Sequence, residues 1–583
     1  MIYEKIAPGL MSVLEDFQEA GHAGLVPHMR SLGVIAAARS PKPPRAVVFI
    51  HCQPDADLSH LEEAGIRVNQ STGPVRTAFL PLHSLDALSE DPAVHRIIPS
   101  RYMHLKMDIA SSKVHLPDFR QQYGLSGKGV IIGIVDSGID PKHPAFQGRI
   151  LRIWDQTLPG PGVLEGGYGV ELSGPLTVVS RDFDGHGTHV AGIAAGNDAT
   201  YSGVAPEADL LIVKSDLQDA HIADAILYIF RIADEMNRPA VINLSLGGHG
   251  DAHDGSDSLS MIIDAVSGPG RIVCCAAGNE GNVDIHAQAR VRQRGQRTIR
   301  FHVPASSGPD AIRVVGLNGW YSGQDEIELA VISPNGFITD YQRVIPSGNP
   351  MRTYPLPDGL VRIFTPGPDP ANGDHNFFVE IRGPVGASAP VTPGAWRVRL
   401  RGRRIVNGRV DVWTLDNSVH LDVRFGGRYV EDSVKIGSPG AAHRAITVAA
   451  YTTRTTWTDA DGVPRAVGLD LDDISDFSSE GPLRDGTEKP DLAAPGAMIV
   501  SALSADSAPL PTNVVDAHHV VMAGTSMATP FVTGVVALLL ERDPTLDPDQ
   551  VKALLRQHCK IPRRPQGTFH AKWGYGLLDL AGL

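Results

Sequence analysis

The stretch AGTSMATPFVTGVVALLLE, residues Ala523 to Glu541, places one serine between a Gly-Thr pair and a long apolar run. The apolar run predicts a buried helix that begins close to Ser526. Gly524 allows a tight turn into this helix, and Pro530 lies near its beginning, where a missing N–H is tolerated. Such a helix would hold the Ser526 hydroxyl in a fixed position and aim its N-terminal N–H groups at a developing negative charge. Ser526 is therefore a candidate nucleophile.

Two other segments supply the groups that activate a hydroxyl. GKGVIIGIVDSGID, Gly127 to Asp140, predicts a parallel strand buried on both faces, with Asp136 at its carboxyl end. DGHGTHVAGIAAG, Asp184 to Gly196, predicts a helix that starts at His186 and whose small residues permit close packing. In an open α/β sheet, functional groups gather at the carboxyl ends of the strands. An acid, an imidazole and a hydroxyl brought together there make an alcohol nucleophilic at neutral pH.

The surrounding sequence predicts the fold class. Three further apolar runs follow, DLLIVK (Asp209 to Lys214), AVINLSLGG (Ala240 to Gly248) and RIVCCAAGN (Arg271 to Asn279). Helical segments separate them, including the one from Ala220 to Met236. Strands and helices that alternate at these lengths indicate an α/β fold with a doubly wound parallel sheet.

The flanking and inserted segments have a different texture. Residues 1–107 combine an N-terminal extension with alternating strand and helix patterns, which predicts a small α+β unit of βαββαβ type. Residues 283–432 contain Gly- and Pro-rich turns and short period-two stretches, which predict an inserted all-β sandwich or jelly roll. The α/β domain is therefore expected in two parts, residues 108–282 and 433–583.

Composition limits the classes of partner and the location. The formal net charge of −13 argues against a nucleic-acid partner, although Arg290 to Arg300 is locally basic. The densest apolar run, Phe531 to Leu540, is too short to span a bilayer, so membrane insertion is not expected. The first residues are acidic where a signal peptide would be basic, which favours a cytoplasmic protein; leaderless secretion is the alternative.

The cysteine spacing does not predict a disulfide framework, and the His and Asp spacing does not predict a metal site. The chain is too long for its four cysteines to form a disulfide framework, and we interpret them as buried packing residues: Cys52, Cys274, Cys275 and Cys559. His186 and His189 form an HxxH pair, but no third ligand is evident. The acidic run from Asp470 to Asp476 lacks the spacing of a calcium loop and is interpreted as a solvated loop. No cofactor is expected to be required, and a structural calcium ion is the alternative for the acidic run.

Seven motifs together resemble those of one family. IVDSGID, DGHGTHVAG, NLSLGG, AAGNEG, SDFSSEGP, KPDLAAPG and GTSMATP occur in this order and closely resemble the motifs of subtilisin-like serine proteases, the subtilases of peptidase family S8. The resemblance covers residues 118–282 and 432–583. It implies that Asp136 is the acid of a catalytic triad, His186 the general base and acid, and Ser526 the nucleophile. It also implies that Asn279 donates a side-chain hydrogen bond to the oxyanion beside the Ser526 N–H.

The resemblance implies a substrate cleft as well. In the family an edge strand pairs with the backbone of an extended polypeptide, and a neighbouring loop shapes the specificity pocket. The implied strand residues are Ser245, Leu246 and Gly247, and the implied pocket and rim residues are Ala277, Gly278 and Glu280.

The segment before the catalytic domain resembles a subtilase propeptide. By this resemblance, residues 1–107 act as an intramolecular chaperone and inhibitor, and self-cleavage falls within Arg101 to Ser112. The inserted β module is expected to stabilise the catalytic domain or to restrict access to it, as in known subtilases that carry a jelly-roll insertion.

The leading interpretation is a serine endopeptidase that cleaves polypeptide substrates through an acyl-enzyme and is made as a self-inhibited, self-processing precursor. One alternative is a catalytically restrained regulator with a permanently docked prodomain and a partner-binding β module. All three triad residue types are present, which favours the enzyme. Another alternative is an esterase of the α/β-hydrolase type, but that fold orders its triad Ser, Asp, His around GxSxG, whereas this chain has Asp, His, Ser and GTSMA.

Overall fold

The computed structural model describes residues 1–25, 28, 34–35, 43–100, 104–105, 112–173, 181–308, 311–384, 389–415 and 423–583. The chain forms two compact units. One contains Met1–Tyr102, His249–Ala252 and Val283–Asp432, and the other contains Met103–Gly248, His253–Asn282 and Ser433–Leu583.

The N-terminal segment of the first unit is a small antiparallel sheet with helices. Its helices are α1 (Pro8–Ala20) and α2 (Leu85–Glu90), with short 3₁₀ helices at Tyr3–Lys5, Gly21–Leu25, Ser59–Ala64 and Leu82–Ser84. Its strands are β1 (Val34–Ile35), β2 (Arg45–Cys52), β3 (Arg67–Val68), β4 (Val75–Pro81) and β5 (Val94–Pro99). The sheet order is β1-β2-β4-β3, and β5 pairs with β2. The first helix of the predicted βαββαβ pattern is a 3₁₀ helix, Ser59–Ala64, in the structure.

The residues from Met103 to Asn282 supply the first half of the α/β unit, apart from the loop His249–Ala252. The helices are α3 (Leu116–Tyr123), α4 (His186–Ala195), α5 (Asp219–Glu235) and α6 (Ser258–Val266), with 3₁₀ helices at Ser112–Val114 and Pro144–Phe146. The strands are β6 (His104–Leu105), β7 (Ile131–Asp136), β8 (Ile150–Asp155), β9 (Val170–Ser173), β10 (Asp209–Lys214), β11 (Ala240–Leu244), β12 (Leu246–Gly247) and β13 (Arg271–Ala276).

The insertion from Val283 to Asp432 folds as two antiparallel sheets around one apolar core. Its strands are β14 (His286–Arg290), β15 (Gln296–Val303), β16 (Val314–Tyr321), β17 (Glu326–Ile332), β18 (Met351–Leu356), β19 (Gly359–Phe364), β20 (His375–Arg382), β21 (Gly394–Arg404), β22 (Arg409–Leu415) and β23 (Arg424–Gly426). One sheet has the order β14-β22-β16-β20-β19-β18 and the other β17-β21-β15-β23. Period-two burial, as in β15, places alternate side chains in this core.

The C-terminal residues complete the α/β unit. The helices are α7 (Thr525–Arg542) and α8 (Pro548–Gln557), with a 3₁₀ helix at Pro511–Asn513. The strands are β24 (Ile446–Thr452), β25 (Thr456–Thr458), β26 (Pro464–Ala466), β27 (Leu492–Ala497), β28 (Ile499–Ala502), β29 (Val514–Asp516), β30 (His519–Met522), β31 (Cys559–Lys560) and β32 (Leu577–Leu578).

One sheet runs through the α/β unit in the order β31-β32-β27-β24-β13-β11-β7-β10-β8-β9. Neighbours from β32 to β8 pair in parallel, whereas the outer strands β31 and β9 pair antiparallel. The predicted α/β class with a parallel sheet and an all-β insertion is therefore confirmed. Among the described residues, the helices are too short or too polar to cross a bilayer.

A buried set of polar side chains, here named the Asp16 cluster, joins helix α1 to the inserted sheet within the first unit. Its members are Ser12, Asp16, His28, Arg362, Glu380 and Arg382. The Asp16 carboxylate lies 2.5 Å from His28 Nε2 and 2.8 Å from Arg362 Nη2, and it also binds Arg382. Glu380 binds Arg382 Nε at 2.7 Å. Two guanidiniums thus face two carboxylates, which is how buried charges are kept paired.

Candidate active site

Asp136 and His186 form a buried acid–imidazole pair. Asp136 is the last residue of β7, and His186 is the first residue of α4. His186 Nδ1 lies 2.7 Å from Asp136 Oδ1, and both side chains are fully buried. Because a carboxylate only accepts hydrogen bonds, Nδ1 carries the proton, and Nε2 of the neutral ring is a proton acceptor.

Asp182 holds the start of helix α4. Its buried carboxylate accepts hydrogen bonds from the Gly185 N–H at 2.9 Å, the Thr188 N–H at 2.9 Å and the Thr188 hydroxyl at 2.7 Å. It also accepts the Ser137 hydroxyl at 2.8 Å, and Ser137 Oγ accepts the Gly187 N–H at 2.9 Å. An anion at a helix N-terminus binds otherwise unpaired N–H groups. Sequence reasoning missed Asp182; its signal was an acid placed shortly before the helix start.

Small residues allow α4 to pack closely on its neighbours. A Cβ at Gly187 would lie 2.1 Å from the Gly138 carbonyl oxygen and 3.1 Å from Asp136 Oδ1. A Cβ at Gly192 would lie 2.3 Å from Ser501 Oγ. The close approach predicted for this helix is therefore confirmed, and Gly187 is required next to the His186–Asp136 pair.

Ser526 is the second residue of helix α7 and is 1% exposed. Its hydroxyl donates to the Ser245 carbonyl oxygen at 3.0 Å. The expectation that Pro530 lies where its missing N–H is unimportant is wrong. Pro530 is the sixth helical residue, so the carbonyl that loses its i+4 donor is that of Ser526 itself.

Asn279 is oriented by the residue before Ser526. Its Oδ1 accepts the Thr525 N–H at 2.9 Å and the Thr525 hydroxyl at 2.8 Å. Since Oδ1 faces Thr525, the Nδ2 group faces another direction with its two N–H donors. Thr525 Oγ1 also accepts the Gly278 N–H at 3.2 Å. Sequence reasoning missed Thr525, because its partners lie more than 240 positions away.

The sheet register brings these groups to one edge. Asn243 in β11 is opposite Ile134 in β7 and Cys274 in β13. Two residues further along parallel strands, Asp136 and Ser245 reach the same level, and the loop after β13 carries Asn279. The hydroxyl of Ser526 reaches this edge through its bond to Ser245.

The predicted cleft residues lie along two segments beside Ser526. Leu246 and Gly247 form β12, which pairs antiparallel with the backbone of β6, Leu246 opposite Leu105 and Gly247 opposite His104. The predicted processing segment, residues 101–112, otherwise lies almost wholly outside the described residues.

Hydrogen bonds and close packing fix the loop that follows β13. The Ala277 N–H donates to the Val448 carbonyl at 3.0 Å, which continues the pairing with β24. Gly278 has φ +105°, and a Cβ there would lie 2.7 Å from both Glu280 Oε2 and Ser479 Oγ. Glu280 Oε2 accepts the N–H of the preceding residue at 2.8 Å. The Glu280 carboxylate is thus folded onto its own loop.

His189 is a structural residue of α4. Its Nε2 lies 3.2 Å from the carbonyl oxygens of Ile499 and Val520. Burial lowers the pKa of His189 to about 3, so the ring is neutral and donates to these carbonyls. Within the described ranges, no group of three or more His, Cys, Asp or Glu is arranged to hold a metal ion.

The four cysteines are free and buried, as packing residues are. Burial raises the pKa of the Cys274 thiol to about 12, which keeps it protonated at neutral pH. Burial also raises the pKa of the Cys52, Cys275 and Cys559 thiols, so all four are poor nucleophiles at neutral pH.

The profile of the Subtilase family matches residues 127–324 and 403–576, more than half of the chain. Serine protease AprX of Bacillus subtilis is 26% identical over 483 residues, which cover 82% of this chain and 71% of that protein. The Major intracellular serine protease of Bacillus subtilis is 34% identical over 169 residues, 28% of this chain and 46% of that protein. The solved CspB protease of Clostridium perfringens has the same fold, with a TM-score of 0.66 and 24% identity over 81% of this chain and 96% of that chain.

Proposed function

This chain belongs to the subtilase family of serine proteases, and on that premise we propose that Asp136, His186 and Ser526 form the catalytic triad of an endopeptidase. The observation that carries the proposal is the buried 2.7 Å contact between His186 Nδ1 and Asp136 Oδ1. It is supported by the position of Ser526 at the start of a buried helix, at the same edge of the sheet.

In the proposed reaction, Ser526 Oγ attacks the carbonyl carbon of the scissile peptide bond while His186 Nε2 removes the hydroxyl proton. Asp136 keeps the ring in the required tautomer and stabilises the imidazolium. His186 then gives the proton to the leaving amine, the C–N bond breaks and an acyl-enzyme remains. Water then attacks the ester carbonyl while His186 Nε2 takes its proton, the bond between the acyl carbon and Ser526 Oγ breaks, and the proton returns to Ser526 as the carboxyl product leaves.

The tetrahedral intermediate carries a negative oxygen that needs donors. We assign these to the Asn279 Nδ2 group and the Ser526 backbone N–H. The support is the orientation of Asn279, whose Oδ1 is occupied by two Thr525 donors. Preorganised donors stabilise this charge without moving during the reaction.

We assign the substrate backbone to the edge formed by Ser245, Leu246 and Gly247. An extended polypeptide would add to β12 as an antiparallel strand. Strand β6 of this chain already pairs with β12 in that way, so the edge accepts a peptide backbone. The pocket beside the scissile bond is assigned to Ala277, Gly278 and Glu280.

We also propose that residues 1–107 act as a prodomain and that the chain cuts itself between Arg101 and Ser112. The pairing of β6 with β12 supports this, because β6, near the end of this segment, lies on the proposed substrate edge. A peptide held there would block other substrates until it is cut and released.

The test compares wild type with Ser526→Ala and with Thr545→Ala, a surface hydroxyl control. Intact mass, N-terminal sequencing and peptidase assays are run on each. We expect a break between Arg101 and Ser112 in wild type and in the control, and an uncut, inactive Ser526→Ala chain. The triad assignment is wrong if Ser526→Ala is cut and active. An uncut, inactive wild type would favour the alternative, a restrained regulator with a docked prodomain.

A further inference from the structure

One backbone carbonyl in the first turn of helix α7 lacks the N–H group that would normally donate to it. In an α-helix the carbonyl of residue i accepts the N–H of residue i+4. For Ser526 that donor would be residue 530, which is proline and has no N–H. Ser526 also carries the hydroxyl that is the proposed nucleophile. Any group that donates to its carbonyl therefore helps to fix the position of that hydroxyl.

Ser245 supplies a donor in place of the missing N–H. Its hydroxyl donates to the Ser526 carbonyl oxygen at 2.6 Å. Both residues are at most 1% exposed, and a buried carbonyl left without a donor is costly. In the opposite direction, the Ser526 hydroxyl donates to the Ser245 carbonyl at 3.0 Å. Ser245 therefore holds both the backbone and the hydroxyl of Ser526.

A second layer orients the Ser245 hydroxyl. Asn243 Nδ2 donates to Ser245 Oγ at 2.9 Å, which leaves the Ser245 proton for the Ser526 carbonyl. Asn243 Oδ1 lies 3.0 Å from the hydroxyl of Thr533, two turns further along α7. Asn243 and Thr533 are fully buried. The chain Thr533–Asn243–Ser245–Ser526 thus ties strand β11 to two points of helix α7.

We propose that the Ser245 side chain is a positioning residue, which replaces the absent N–H of position 530 and fixes the backbone of the nucleophile, with Asn243 orienting it. This role is separate from the substrate contacts assigned to the Ser245 backbone. The inference rests on the proposed role of Ser526. Because the hydroxyl is buried under Ser526 and points to its carbonyl, its loss should change turnover and leave substrate binding nearly unaltered.

A double-mutant cycle tests this, since Pro530→Ala returns an N–H to the Ser526 carbonyl. We expect Ser245→Ala to lower kcat about tenfold with KM within about twofold. In the Pro530→Ala background, the same change should lower kcat by no more than about twofold. A purely packing role of Ser245 would not be rescued by a new N–H. Ser245→Cys fills the same space with a weaker donor and replaces Ser245→Ala if that variant fails to fold.

Two controls separate the possible failures. Ser260→Ala removes an equally buried hydroxyl of the same unit and should keep wild-type kcat. Ser526→Ala should be inactive. If Ser526→Ala turns over substrate as wild type does, the proposed function is wrong and this inference falls with it. Two results would overturn only the inference, provided that Ser526→Ala is inactive. One is a wild-type kcat in Ser245→Ala, and the other is an equal loss of kcat from Ser245→Ala in the wild-type and Pro530→Ala backgrounds.

Discussion

Asp16→Asn should loosen helix α1 from the inserted β-sandwich far more than its size change suggests. Burial alone would raise the pKa of Asp16, but His28 and two guanidiniums hold that pKa well below its usual range. The carboxylate therefore stays charged at neutral pH. Asparagine keeps the shape of the side chain and removes the charge, so Arg362 and Arg382 would share Glu380 as their only buried carboxylate in the Asp16 cluster.

The free-energy cost of Asp16→Asn follows from the burial and the pairing of the charges in the Asp16 cluster. Removing one partner of a buried ion pair costs about 3–5 kcal/mol, because the remaining charge is left uncompensated. At 1.36 kcal/mol per decade, this corresponds to a change of roughly 10² to 10⁴ in the equilibrium between packed and open helix. Glu19→Gln is the matched control on the same helix. Its carboxylate lies 3.8 Å from Arg362 and is 72% exposed, so its loss should cost under about 1 kcal/mol.

Hydrogen exchange of the α1 amides, read by mass spectrometry of peptides from Pro8–Ala20, measures this local opening directly. We expect exchange in Asp16→Asn to be about 10² to 10⁴ times faster than in wild type, and in Glu19→Gln only up to about fivefold faster. Replacing Asp16 by Leu together with Arg382 by Met removes one charge of each sign and should recover part of the protection. Equal exchange in Asp16→Asn and Glu19→Gln would refute the argument from buried charge.

Three further predictions concern the α/β unit. Asn279→Ala should lower kcat about 10²- to 10³-fold with little change in KM, a magnitude measured in a subtilisin of the same family, and a loss below tenfold in steady-state kinetics would contradict the oxyanion role. Gly187→Ala would place a methyl 2.1 Å from the Gly138 carbonyl oxygen and 3.1 Å from Asp136 Oδ1, so the start of α4 must shift beside the His186–Asp136 pair. We expect kcat/KM to fall about 10²-fold while the circular dichroism spectrum keeps its wild-type helix signal, and wild-type kinetics would argue against this. Burial would lower the pKa of His221, but Asp216 at 2.8 Å outweighs it and raises that pKa. The stability from this pair is therefore fully present below about pH 6.5 and is lost as pH rises through the raised pKa. The difference in unfolding free energy between wild type and His221→Asn should shrink from pH 6 to 9, and a constant difference would count against the pairing.

The ends of the buried strands and the starts of the buried helices could be read from the sequence. Asp136 does end β7, and His186 does begin α4, because a continuous apolar run stops where a strand or helix changes environment. The supporting residues could not be read in this way. The bonds of Asp182 to Ser137, Thr525 to Asn279 and Asn243 to Thr533 span 45, 246 and 290 positions. No local pattern links partners so far apart.

Pro530 illustrates the limit of local reasoning. The sequence shows a proline near a helix start, and only the helix boundary decides which carbonyl loses its donor. With the helix beginning at Thr525, that carbonyl is the one of Ser526. The partner that replaces the donor, Ser245, comes from a different strand.

By itself, the sequence determined the α/β class, the inserted β-sandwich and the membership in the subtilase family, because periodicity and short motifs depend on neighbouring residues. Only the tertiary structure decided which residues position the site. The Asp182 carboxylate caps α4, the Thr525 hydroxyl orients the Asn279 side chain, and the Ser245 hydroxyl binds the Ser526 carbonyl. The tertiary structure also decided that α1 is joined to the inserted sheet through the Asp16 cluster. These contacts depend on register and helix packing, and buried polar groups must find partners wherever the fold brings them, however distant in sequence.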